Sequence, residues 1–197
     1  MAAQSSKVRG GSVQTRQILA SAGLGGIAGI IGYLLSFLLV DGEARSVAIE
    51  VADWKLVGWY FFNGHLVDVE ATGSIGEFGG SETINFIAQS SAASAGVIYL
   101  VPPLVLLGVG GLLAARLDAR DLGEAVFAGA PVAIGYVVVM TVGAVLTQAS
   151  TEASFVGVDV SGSIGPQFLP SVLLAGVVYP LVFATVGAIM VLIIRSD

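Results

Sequence analysis

Few residues in this chain could do chemistry, and most of them crowd into one stretch. The segment DWKLVGWYFFNGHLVDVE, from Asp53 to Glu70, holds both tryptophans, the only histidine and one of two lysines. Histidine changes charge near neutral pH and can serve as base, metal ligand or hydrogen-bond relay. Asp68 and Glu70 follow His65 closely enough to join it in a weak cation site, although no spacing demands one. A lone histidine is more simply a hydrogen-bonded structural residue, and that is the reading taken for His65.

The rest of the sequence lacks the partners that catalysis needs. There is no cysteine, which removes disulfides, thiolate nucleophiles and thiolate-held zinc. One histidine cannot build a histidine metal cluster or supply a second member for a serine–histidine pair. No G-x-x-x-x-G-K-[ST], no H-E-x-x-H and no G-x-S-x-G occurs. Eight Lys and Arg in all form no basic patch for nucleic acid. The expectation is a protein that is not an enzyme and that uses neither metal nor cofactor.

Hydrophobic residues make up 55% of the 197 and charged ones 11%, with mean hydropathy +0.91; a soluble domain carries roughly a quarter charged residues. Four windows, residues 17–40, 92–115, 125–150 and 167–194, contain neither a charged residue nor histidine. Each reaches the ~20 residues that cross a hydrocarbon core. The expected architecture is an all-α membrane protein with four transmembrane helices. It has a basic tail 1–16, span one 17–40, an acidic outer loop 41–92, and span two 92–115. A short loop 116–124, span three 125–148, an outer loop 149–167 and span four 168–194 complete it. The first apolar run is too long for a signal peptide, with no A-x-A-like site after Val40, and reads as an uncleaved span.

Lys7, Arg9, Arg16, Arg116, Arg120 and Arg195 fall on one side of that arrangement, Arg45 and Lys55 on the other. By the positive-inside rule both termini are expected in the cytoplasm, with the chain in the cell membrane. Ten of the 14 acidic residues lie in the outer loops. An acidic outer face, two lysines and a pI near 4.6 read as adaptation to molar salt, where the screening length is about 3 Å. The lipid bilayer is the first expected partner, and the acidic loops are the expected surface for a homo-oligomer or a second membrane protein.

Short stretches recur in order. Span one holds GIIGYLL (29–35) and span three VAIGYVV (132–138). The outer loops hold TGSIG (72–76) and SGSIG (161–165), read as turns. Span two holds AGVIYLVPPLV (95–105) and span four AGVVYPLV (175–182). The pattern suggests two parallel helical-hairpin repeats related by an axis along the membrane normal. Prolines after Tyr99 and Tyr179 interrupt spans two and four. Such breaks at matching positions mark Tyr99, Pro102, Pro103, Tyr179 and Pro180 as candidate pathway-lining residues. Gly25, Gly29, Ala184 and Ala188, with Gly108, Gly110 and Gly111, read as packing positions.

The opening stretch is then a helix over 53–64, with Asp53 as N-cap and Asn63-Gly64 as stop. Ten to twelve residues reach about half a bilayer. Trp54, Lys55, Trp59, Tyr60 and His65 are the candidate interfacial residues, aromatic rings and a snorkelling lysine at headgroup level. The reading taken is an interfacial or re-entrant helix capping the bundle outside. A fifth crossing would part the termini and break the basic pattern; a pocket wall or partner surface also fits the residues.

The block D-W-K-x-V-G-W-x-F-x-N-x-H, here Asp53, Trp54, Lys55, Val57, Gly58, Trp59, Phe61, Asn63 and His65, resembles an uncharacterised family of small multi-pass membrane proteins from haloarchaea. The resemblance covers the whole chain and implies a membrane location and a source. It implies no activity, although some members carry a transporter label. The functional expectation is a structural or accessory membrane protein with partner-facing outer loops. The alternative is a small transporter or passive conduit for a small neutral solute between spans two and four.

Overall fold

The computed structural model describes residues 2–44, 51–75, 77–155 and 158–196. Arg45 and Glu50 lie outside these, as do the side chains of Lys7, Arg9, Asp41 and Glu43. Four helical stretches are long and apolar enough to cross a membrane: Thr15–Val40, Ala93–Leu117, Leu122–Leu146 and Phe168–Arg195. They are called here the first to fourth long helices. The first packs beside the third and the second, and the fourth beside the third and the second, closing a ring of four.

Missing side chains set the two tightest contacts. A Cβ at Gly25 would overlap the Val132 carbonyl, and one at Gly135 the Ala22 carbonyl, so the first and third helices meet backbone to backbone. Gly110 against the Ala184 carbonyl and Gly187 against the Leu107 carbonyl do the same for the second and fourth. Such close approach collects dispersion contacts where apolar surroundings provide little hydrophobic drive. Of the expected packing positions Gly108 differs: a Cβ there meets nothing within 4 Å.

The prolines act at the turns just before them. Pro102 and Pro103 occupy the first turn of the α-helix Val101–Leu117, where a missing N–H is harmless, and a 3₁₀ turn, Ile98–Leu100, precedes it. In the fourth helix a π-helical segment, Ser171–Val178, runs up to Tyr179 and Pro180. A proline cannot bond back to the carbonyl four residues earlier and crowds it, and the wider π turns accommodate that gap.

The all-α expectation needs correcting at the end of the bundle between the first and second and the third and fourth long helices. Four strands, β1 (Val69–Ile75), β2 (Phe78–Ile84), β3 (Ala149–Phe155) and β4 (Val158–Pro166), form one antiparallel sheet in the order β2-β1-β4-β3. In the first motif Gly73–Ile75 is strand, with Gly76 outside the described residues, and in the second Gly162–Gly165 is strand, not turn; Gly73 sits opposite Gly162 at the sheet centre. The matched motifs thus face each other, but β1 leads its hairpin while β4 closes its own. Thr83 lies in β2. Only Phe86–Gln89 is helical there, with the Asn85 side chain accepting from the Ala88 N–H at 3.0 Å.

Side chains alternate across a strand, and the sheet sorts accordingly. Val69, with Ile84, Ile164 and Ala149, rests on a core that includes Val40, Leu56, Trp59 and Phe86. The opposite face carries a row of hydroxyls through all four strands, Ser81, Thr72, Ser163 and Ser150. Thr72 and Ser163 share a hydrogen bond of 2.8 Å, as do Ser74 and Ser161. Glu70, Glu152 and Asp159 have the same strand parity and share that face.

These contacts separate two glycines of one helix. Gly110→Leu should drive the second and fourth helices apart and destabilise the protein by on the order of 3 kcal/mol. Gly108→Ala should stabilise it by up to about 1 kcal/mol through helix propensity. Thermal unfolding in detergent checks both, and equal effects at the two positions would refute the assignment of the interface.

Candidate functional site

The Asp53–Asn63 helix fills the mouth of the four-helix ring at the end that carries the sheet. Ala52 is its N-cap, and Asp53 sits in the first turn, where a carboxylate favours the helix N-terminus. From Leu56 to Asn63 every residue is buried, which explains the lack of polar periodicity: the helix has protein on nearly all sides. It touches each long helix. Phe61 meets Tyr33 of the first edge-on at 6.2 Å, and Gly64 lies under Ile98 of the second. The Trp59 indole donates to the Thr147 carbonyl at 2.9 Å at the end of the third. His65 reaches the third and the fourth.

Asn63 builds the turn that aims His65 inward. Its amide donates to the Val67 carbonyl at 2.8 Å and accepts from the Phe86 N–H at 2.8 Å. Leu66 takes a left-handed conformation, φ 60°, to complete the turn. His65 is fully buried. One ring nitrogen, Nδ1, lies 2.8 Å from the Phe61 carbonyl, and Nε2 lies 2.7 Å from the Tyr136 hydroxyl. A carbonyl can only accept, so Nδ1 carries the proton, Nε2 is bare, and Tyr136 donates to it. The imidazole packs edge-on to Phe61 at 4.7 Å and tilted on Tyr179 at 5.0 Å.

The result is a neutral, satisfied junction. Burial pushes the His65 pKa down to about 4, against the opposing pull of its bond to the Phe61 carbonyl. Asp68 does not join His65; it accepts from Asn85 at 3.1 Å. Glu70 is exposed on β1. Among the described residues no three His, Asp or Glu side chains are placed to hold a metal, so the weak cation site is not assembled.

The candidate interfacial residues divide. Trp54 is 43% exposed, and the Lys55 ammonium stands 5.6 Å from the Trp54 ring centroid and bonds the Gln148 carbonyl. Trp59, Tyr60 and His65 are instead buried, with Trp59 stacked on Phe86 at 5.6 Å. Of the candidate pathway residues, Tyr179 packs on His65 and on Phe183. Tyr99 donates to Asn85 Oδ1 at 3.3 Å. Pro102 and Pro180 are buried and Pro103 half-buried. Below them the second and fourth helices are in backbone contact, Gly110 against Ala184 and Gly187 against Leu107.

Sequence reasoning missed Tyr136 and Tyr33 as members of the site. The repeated Gly-Tyr pair was the available signal: Tyr136 donates to His65, and Tyr33 donates to the Trp54 carbonyl at 3.0 Å. Both matched tyrosines thus fasten the short helix, one at each end.

The buried imidazole makes stability depend on pH. The unfolded chain takes up a proton near 6.5 and the folded one only near 4. Stability from this group is complete above pH 6.5 and drains as the pH falls toward 4, by about 3 kcal/mol. Melting temperature in detergent should fall over that window. His65→Gln should melt lower at pH 7 and lose most of the slope; an unchanged slope would refute a neutral buried His65.

No curated protein and no solved structure matches this chain. Residues 1–195 match a family model described as "Family of unknown function (DUF7978)". The chain, with its four long apolar helices, belongs to that family.

Proposed function

We propose that this is a multi-pass integral membrane protein with a structural or accessory role, not an enzyme. Both termini face the cytoplasm and the sheet lies outside. The observation that carries the reading is the plug: a short helix bonded to the ends of the ring by uncharged, mutually satisfied groups at His65, Tyr136, Tyr33 and Trp59. Polar groups spent in these bonds are not free to coordinate a moving solute. What remains available is the outer sheet, whose hydroxyl row and three carboxylates suit a cationic or hydrogen-bonding partner protein or a second copy. The acidic outer surface and the resemblance to haloarchaeal proteins favour a source that lives at high salt.

A conduit for a small neutral solute is the second reading. It is favoured by the 3₁₀ turn before Pro102 and the π turns before Pro180, irregularities at matching positions of the second and fourth helices.

The absence of cysteine makes the topology directly testable. Ser81→Cys in β2 should react with a membrane-impermeant maleimide in intact cells, and Asp121→Cys in the loop between the second and third helices only after permeabilisation. Reversed labelling would overturn the orientation. Stopped-flow light scattering on reconstituted vesicles should give the glycerol permeability of protein-free vesicles. A saturable, protein-dependent increase would replace the structural reading with the conduit.

A further inference from the structure

A cleft of about 420 Å³ opens sideways between the first and third long helices, floored by the plug helix. Ile30 and Val138 line it near mid-helix, Leu146 and Trp54 at its outer end, with Phe61 and Met140 deeper in. Ile30, Val138 and Leu146 are more than half exposed, so the cleft faces the surroundings of the bundle rather than its core. Its size falls in the range of ligand-binding clefts, roughly 300–1,000 Å³.

The wall is apolar in effect as well as composition. Two of its three polar side chains are committed to backbone carbonyls, Tyr33 to Trp54 and Thr147 to Gly143 at 2.8 Å, and the third, the Trp54 indole, lies at the outer end. Away from Trp54 the wall offers a polar solute little, whereas an alkyl or isoprenoid chain would need no polar partner. Charge appears only at the outer end. Lys55 sits there, its ammonium beside Trp54 and the Gln148 carbonyl. It is the one lysine or arginine among the described residues of the outer segments. An ammonium has three donors, and one goes to Gln148.

From this combination we propose that the cleft holds one chain of an anionic phospholipid of the outer leaflet, with the phosphate at Lys55. The proposal rests on the membrane reading above. A tail slot open to the side and a cation at its outer end match an amphiphile already lying parallel to the helices, which enters without leaving the bilayer. The acidic outer loops would repel a free anion from solution, so the lipid is the source.

The test uses the full chain, delipidated in detergent and offered equal amounts of phosphatidylglycerol and phosphatidylcholine, read by native mass spectrometry. The expected result is one retained phosphatidylglycerol per chain. A Cβ at Gly143 meets only the Phe62 ring edge, at 3.5 Å, so Gly143→Leu should fold while filling the cleft. It should cut retention about tenfold, the loss expected when a couple of buried methylenes are displaced. Lys55→Gln should bind both lipids equally. Retention unchanged in Gly143→Leu, or a dimer that excludes lipid, would overturn the proposal. Flotation of alkali-washed vesicles separates the two readings: a chain that floats but retains no lipid sinks the lipid site alone, and one that washes off sinks both.

Discussion

The sheet-bearing half of the molecule depends on one hydrogen bond, from the Tyr136 hydroxyl to the bare nitrogen of His65. The imidazole sits where the four-helix ring would otherwise be open, and it can stay there only uncharged and with both nitrogens satisfied. Phe61 supplies the acceptor at one end and Tyr136 the donor at the other. The bond joins a short helix to the third long helix and, through the tilted Tyr179 ring, to the fourth. The turn around Asn63, the left-handed Leu66 and the register of β1 all follow from holding that ring in place.

Two further constraints organise the remainder. Backbone contact at Gly25 with Val132 and at Gly110 with Ala184 fixes which helices are partners, and no side chain larger than hydrogen is compatible with either glycine position. The contact between Leu107 and Gly187 joins residues separated by the same length of chain as Tyr99 and Tyr179, whereas Gly110 meets Ala184 six positions out of that register. The first and third do not meet at equivalent positions, because the plug helix inserts its Phe61 ring against Gly32.

The long helices were plain in the sequence because absence of charge over about 20 residues is a one-dimensional signal. A capping helix was readable as well, from the length of the aromatic stretch. The depth of its burial was not: Trp59 and Trp54 are the same residue type five positions apart, and only the third helix's Thr147 carbonyl decides which of them is enclosed. The sheet was hidden for a different reason. Val158, Val160 and Ile164 alternate with Asp159, Ser161 and Ser163, a period of two that marks a strand, but Gly162 and Gly165 invite a turn reading. What makes GSIG a strand is its partner 89 positions away, across two long helices.

That partnership has a consequence for how the molecule comes into being. The first hairpin, β1 and β2, is complete once residue 84 has been made, yet the edge of β1 that β4 occupies stays bare until Val158–Pro166 has followed. Throughout synthesis of the second and third long helices the nascent chain carries an unpaired strand edge, the kind of edge that invites wrong partners. Arrival of the second hairpin closes it and latches the front half of the polypeptide to the back, across the seam between its two pairs of consecutive long helices. The sheet is therefore also a clasp, and fastening it is a late event in biogenesis.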